Sequence, residues 1–308
     1  LHPLLLYAVT GAGKTEMMYE GIRVARQLGF NVAIVSPRVD VVVEISLRIK
    51  EAFISEDIDV LHQSSQQQYN GHFIVATVHQ LFRFKSHFDV IFIDEVDAFP
   101  LSMDPRLMEA IRLSSKQKHS HIFMTATPPK ELLNRLSSEQ IITLPARFHK
   151  HPLPVPNFTY FKLNVKHIQL KLKRILMNQI TEKRYTLVFF NNIELMVETY
   201  QHYRYHFSDL IYVSSKDALR FSKVQALRNG EHAIVFTTTI LERGFTMAQL
   251  DVIVINAHTF EKAALIQIAG RVGRKQGAPT GKVIFMHEGV SIAMIQAKRE
   301  IKKMNRLG

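Results

Sequence analysis

Short runs of apolar, often β-branched residues recur along the chain, separated by longer stretches in which apolar positions return at helical spacing. Such runs, bounded by polar turns, read as buried strands, and their alternation with amphipathic helices predicts βα units around parallel sheets covered on both faces. In the first half, strands are expected at Leu4–Ala8, Val32–Ser36, residues 73–76, 90–94 and 122–124, and Ile141–Leu144. In the second half they are expected at 158–163, 186–190, Leu210–Val213, 233–236, 252–256 and 282–286, with helices over 165–180 and 262–271 among the connections. Between the halves, residues 145–156 hold four prolines, which remove backbone donors and disfavour helix in the residues before them. The chain is therefore expected to be α/β, with domains over 1–147 and 158–308 joined by a proline-rich linker over 148–157. The two halves share a rhythm without an internal sequence repeat, and the polar run 64–71 reads as a surface loop.

The 308 residues, 46% of them hydrophobic, suffice for two ordinary cores. Lysine and arginine exceed aspartate and glutamate by 39 − 27 = 12, which suits a polyanionic partner, either nucleic acid or an anionic membrane surface. Charge alone does not choose between them. The absence of cysteine excludes disulfides and thiolate metal sites within these residues and makes a reducing cytoplasm the default compartment. No apolar run approaches the roughly 18–20 residues of a membrane helix. Residues 1–9 lack the basic region of a signal peptide, and the chain opens on Leu1 rather than methionine, so the natural protein is expected to start further upstream. The histidines, His62, His119 and His121 among them, show no metal-ligand spacing.

Ala8-Val-Thr-Gly-Ala-Gly-Lys-Thr15 follows an apolar strand and opens a helical pattern, the setting that a phosphate-binding loop requires. Gly11 and Gly13 would let backbone amides turn toward phosphates, Lys14 would bridge the β- and γ-phosphates of ATP, and Thr15 would ligate Mg²⁺. Ala8 stands where the usual pattern has glycine, and a chance glycine-rich turn is the plain alternative. Phe92-Ile-Asp-Glu-Val-Asp97 ends another apolar strand with carboxylates at its carboxyl edge, where ligands gather in open α/β sheets. There Asp94 would partner Mg²⁺ and Glu95 would orient the attacking water, although a solvated acidic cluster before a helix has the same text. Both halves of one magnesium–nucleotide site thus occur in the expected order.

Further segments resemble the motifs of superfamily-2 helicases. Gln267-Ile-Ala-Gly-Arg-Val-Gly-Arg274 matches motif VI at all its fixed positions, and helical spacing would put Gln267, Gly270, Arg271 and Arg274 on one face. Arginines supplied there would stabilise charge on a transferring phosphoryl group; a basic surface helix is the alternative. Thr125-Ala-Thr127 resembles motif III, which couples the nucleotide site to the cleft. Residues 237–246 resemble motif V, with Thr237 near the nucleic-acid backbone and Gly244 near the nucleotide. Ser36, Pro37 and Arg38 resemble motif Ia, Thr77 and His79 belong to a likeness of motif Ib, and Asn191 to one of motif IV. Hydroxyls and amides after strands can hold phosphates without reading bases, as can any polar loop in such a place.

Taken together, Thr-Gly-Ala-Gly-Lys-Thr-Glu16, Asp-Glu-Val-Asp97, Ala76-Thr-Val-His-Gln-Leu81 and Thr-Thr-Thr-Ile-Leu-Glu-Arg-Gly244 resemble the ComFA family over nearly the whole chain. The resemblance implies two RecA-like domains and an ATP- and Mg²⁺-dependent motor acting on single-stranded DNA during bacterial competence, alongside other DNA-uptake proteins. It implies a cytoplasmic protein, peripheral on the inner face of the membrane, with a four-cysteine zinc segment upstream of the residues present here. The nucleotide set it implies is Gly11, Ala12, Gly13, Lys14, Thr15, Glu16, Asp94, Glu95, Gly244 and Gln267, with Lys14, Glu95, Arg271 and Arg274 serving catalysis. Phe245 and Met247 depart from the usual motif V text. A replication-restart helicase of the PriA type, and a non-catalytic nucleic-acid binding module with a motor fold, are the alternatives.

Overall fold

In the computed structural model, residues 2–63, 71–98, 101–102, 104–239 and 247–308 are described. The chain divides into two units, Leu1–Phe148 and His149–Gly308. The first is built on a sheet ordered β3-β4-β2-β5-β6-β1-β7, in which every pair is parallel. Its strands are β1 (Leu4–Ala8), β2 (Val32–Ser36), β3 (Asp59–Leu61), β4 (Phe73–Thr77), β5 (Phe88–Asp94), β6 (Ser115–Thr125) and β7 (Ile141–Leu144). Every residue of β2, β4 and β5 is buried, as continuous apolar runs under helices require. The helices are α1 (Lys14–Gln27), α2 (Val39–Ala52), α3 (Pro105–Ser114) and α4 (Lys130–Arg135). Ile22 of α1 and Ile49 of α2 join Ile34, Phe73 and Phe92 of the sheet in one core.

The second unit repeats the plan with a parallel sheet ordered β10-β11-β9-β12-β13-β8. Its strands are β8 (Asn157–Tyr160), β9 (Tyr185–Phe189), β10 (Leu210–Val213), β11 (Ile234–Thr237), β12 (Leu250–Val254) and β13 (Val283–His287). Helices α5 (Leu170–Thr181), α6 (Ile193–Tyr203), α7 (Arg220–Arg228), α8 (Lys262–Ala269) and α9 (Ile292–Leu307) connect and follow them. Leu172, Val188, Phe190, Phe236, Ile253 and Met286 lie at the centre of its core. Residues 149–156 form neither helix nor strand, yet Leu153 is buried, and its amide and carbonyl bond Asn305 of α9 at 2.7 and 2.9 Å.

Several elements depart from the sequence reading. The short strand β3 was not expected, having only three residues with an acidic start. Strand β6 extends far beyond 122–124: Ser115 pairs with Phe88 and Ser120 with Val90, and the polar residues 116–119 lie in the register shift between those two pairs. The helix expected from 165 begins at Leu170: Asn164 accepts the Lys166 amide at 2.9 Å, a local turn that competes with helix. The helix expected over 262–271 ends at Ala269, with Gly270 as its cap and Gly273 at φ 68°. Of the run 64–71, only Gly71 lies within the described residues. No helix among the described residues is long and apolar enough to cross a membrane.

One half-buried imidazole links fold to pH. His121 on β6 lies 2.8 Å from Ser115 Oγ, and burial, followed by the neighbouring His119, lowers its pKa to about 4. An unfolded chain binds that proton near pH 6.5, so the stability contributed by the neutral ring is present above that pH and is lost as pH falls toward about 4. Urea denaturation between pH 7 and 4.5 should show this loss, and His121→Gln should flatten the slope.

Candidate nucleotide and nucleic-acid site

Parallel pairing places the carboxyl ends of β1, β6 and β5 side by side, with Tyr7 level with Thr125 and Asp94 level with Met124. The glycine-rich loop leaves β1 and enters α1 through Gly13, the helix cap, at φ 83°; Gly11 stands at φ 84°. Both angles disfavour side chains, so the turn calls for glycine at both positions. The loop is closed by the Ala12 amide on the Val9 carbonyl at 3.1 Å. It leaves the first-turn amides of α1 at the positive end of the helix dipole, a ready seat for phosphate. Lys14, the first residue of α1, crosses to β5 and its Nζ lies 3.3 Å from Asp94 Oδ1. Asp94 and Thr15 offer a carboxylate and a hydroxyl, the hard oxygens Mg²⁺ takes while keeping waters and phosphate as its other ligands. Glu16, expected among the nucleotide contacts, is exposed and lies 3.5 Å from Arg48 of α2.

Glu95 follows Asp94 with φ 55° and is 92% buried, its relative exposure being 8%. A non-glycine residue held there costs on the order of 1–3 kcal/mol, a strain that concentrates at functional sites. Asp97, to which sequence reasoning gave no role, accepts hydrogen bonds from the hydroxyls of both Thr125 and Thr127, the latter at 2.6 Å. The Thr127 amide also bonds Thr125 Oγ1 at 2.9 Å. The acidic strand end and the Thr-Ala-Thr turn are thus one bonded unit, foreshadowed only by Asp97 being the last letter of its motif. Arg147 was likewise missed: it is 2% exposed and packs against Gly11.

The residues expected to meet nucleic acid lie at the ends of β2 and β4, which pair with Ser36 level with Thr77. Arg38 caps α2 and is partly exposed, and His79 is exposed on the 3₁₀ helix Val78–Arg83. Ser36, Pro37 and Thr77 are buried, so these positions offer backbone more than side chain. In the second unit, Asn191 is exposed after β9 and donates to Thr259 Oγ1 at 2.7 Å. Thr237, at the end of β11, is fully buried and its hydroxyl bonds the Val213 carbonyl at 3.1 Å, turned away from any surface.

The shared helical face expected for Gln267, Gly270, Arg271 and Arg274 does not form. Gln267 is buried on α8, while the other three occupy the turn after it, where the Arg271 and Val272 amides bond the carbonyls three residues back. Gly270 ends the helix and Gly273 turns the chain through φ 68°, so the glycines break the helix. Arg271 is 2% exposed, and Arg274 Nε donates back to the Gly270 carbonyl at 3.0 Å. Gly244 lies outside the described residues.

Residues 2–130 match the family described as type III restriction enzyme, res subunit, and residues 169–276 match the helicase conserved C-terminal domain. The fold is similar to that of Dbp5 of S. cerevisiae bound to RNA and ADP BeF3, with a TM-score of 0.71 and 12% identity over 99% of this chain and 83% of that one. It is also similar to the DEAD-box helicase Mss116 bound to ssRNA and UDP-BeF, with a TM-score of 0.69 and 15% identity over 92% of this chain and 66% of that one. The two parallel sheets flanked by helices are RecA-like domains. Competence protein ComFA of Bacillus subtilis is 38% identical over 99% of this chain and 68% of its own length. Competence protein ComFA of Streptococcus pneumoniae is 39% identical over 99% of this chain and 73% of its own. With identity at that level along almost every residue, and a helicase domain matched in its second half, the chain belongs to the ComFA family and is a helicase-like motor.

Proposed function

We propose that this chain is an ATP- and Mg²⁺-dependent translocase that moves along single-stranded DNA by phosphate contacts, as part of DNA uptake in bacterial competence. The observation that carries the reading is the 3.3 Å approach of Lys14 to Asp94, which joins a glycine-rich helix start to an acidic strand end. Bound ATP with Mg²⁺ would supply the phosphoanhydride bond and the charge to be neutralised. Lys14 would exchange Asp94 for the β- and γ-phosphates, while the amides from Gly11 to Thr15 cradle them. Thr15 and Asp94 would hold the metal ion. Glu95 would hold a water by its carboxylate and draw its proton as the water attacks. Arg271 and Arg274 would meet the charge developing on the γ-phosphoryl oxygens, with Gln267 and Gly244 near the nucleotide. Thr125 and Thr127, bonded to Asp97, would pass the change on to strand contacts at Arg38, His79, Asn191 and the backbone near Ser36, Pro37, Thr77 and Thr237. The chain's net charge of +12 favours such a strand, and the name of its relatives, competence protein, favours work beside other competence proteins.

ATPase assays with single-stranded DNA, duplex and RNA would test the reading directly, with single strands expected to stimulate most. Lys14→Ala should abolish tight Mg-ATP binding, whereas Glu95→Gln should bind normally and lose most turnover; parental turnover in Glu95→Gln would remove Glu95 from its role. Arg271→Ala and Arg274→Ala should each lose roughly 10³ in kcat with a smaller effect on ATP affinity, because the charge they meet grows in the transition state. Thermal melts must stay near parental for that loss to count. Single-strand affinity should fall steeply between low and moderate salt and vary little among mixed sequences of equal length, as phosphate contacts require.

A further inference from the structure

Three consecutive residues at the boundary of the units are tied to two parts of the proposed catalytic apparatus, two of them to the phosphate loop and the third to the arginine turn. Arg147 is buried, and its Cγ, Cδ and Nε lie 3.7–3.8 Å from where a Cβ on Gly11 would stand. The Phe148 amide donates to the Gly11 carbonyl at 3.1 Å. These contacts lie within the first unit and grip the phosphate loop at its left-handed glycine. His149 is the first residue of the second unit, and its Nε2 bonds the Gly273 carbonyl at 2.9 Å. Gly273 sits between Arg271 and Arg274, in the turn already fixed by the Arg274 bond to Gly270.

The imidazole is specified for this task. Its Nδ1 accepts the His151 amide at 3.1 Å, so the ring proton resides on Nε2 and is directed to the Gly273 carbonyl. Lys150, at φ 61°, bends the chain back so that the His151 amide can reach the ring. A peptide unit is planar and fixes consecutive Cα atoms about 3.8 Å apart, leaving only φ and ψ on each side to absorb movement. A displacement of the Gly11 carbonyl therefore has one peptide unit and the torsions beside it in which to dissipate before it reaches His149.

We propose that residues 147–149 are a covalent strut that reports occupancy of the phosphate loop to the arginine turn, with Arg147 and His149 as positioning residues for ATP hydrolysis. The proposal rests on the function proposed above for the loop and the turn. A signal of this kind needs an element that both sites bias, and here that element is the backbone itself.

The test uses the full chain and ADP, which fills the loop but lacks the γ-phosphate that Arg271 and Arg274 would meet. Hydrogen exchange of residues 269–274 should slow about tenfold when ADP binds the parent. It should not change in a variant with two glycines inserted between Phe148 and His149, nor in His149→Phe, although both bind ADP within about twofold of the parent, being unaltered in the loop itself. With single-stranded DNA, His149→Phe should lose about tenfold in kcat at similar KM, the rate equivalent of one hydrogen bond, and His149→Gln, which keeps a donor, should recover most of it. ADP protection of 269–274 that persists in the inserted chain, or is missing from the parent, overturns the strut. A parent that binds ADP but hydrolyses no ATP with any nucleic acid overturns the proposed function instead, and the exchange measurement still decides the strut. A parent that binds no ADP overturns both.

Discussion

Parallel strand pairing is the constraint on which the rest depends. Within each unit it sends every strand in the same direction, so all carboxyl ends emerge along one edge and every connection must return over a face. Residues remote in sequence, such as Lys14, Asp94 and Thr125, become neighbours without any special contact being required to gather them. The same edge carries Ser36 on β2, the strand beside β5, and Thr77 on β4, one strand further, so strand order alone brings the proposed nucleotide residues and the proposed strand contacts to one edge. The return paths explain the cores: α1 and α2 must bury apolar faces against a sheet whose central strands have no polar side.

Within that edge, charge is arranged so that each group has something to exchange. The Lys14 ammonium lies against the Asp94 carboxylate, which keeps two opposite charges satisfied in a partly buried place. Asp97 takes two hydroxyl donors and so fixes the Thr-Ala-Thr turn to the acidic strand. Glu95, buried and left-handed, is held there by the surrounding structure against its own backbone preference.

What could be read from sequence was chemistry carried by the backbone and by strand patterning. Gly11 and Gly13 announced a turn because only that conformation calls for glycine at such spacing, and the buried strands announced themselves through continuous apolar runs. The arginine segment departs from its helical reading: helical spacing does not carry through Gly270 and Gly273, residues that end helices. The first half of β6 was invisible because Lys116, Gln117, Lys118 and His119 have no strand-like pattern and lie between the pairings of Ser115 and Ser120 with β5, which only the tertiary fold fixes. Thr237 looked like a surface hydroxyl because sequence cannot tell whether the last residue of a strand points to the loop or to the neighbouring strand's carbonyl. Asp97 and Arg147 were missed for a related reason, since their partners are set by tertiary packing.

The proline-rich stretch bears on where this chain can be divided. Leu153 is bonded twice to Asn305 and His149 to Gly273, so most of what resembles spacer is the outermost layer of the second unit. A fragment of that unit beginning at β8 would be stripped of both attachments, and a first unit ending at β7 would lose the residues that cover its own glycine loop. Only the single peptide between Phe148 and His149 can be severed with every one of these attachments intact, and anyone dissecting the molecule into halves has that one bond to aim for.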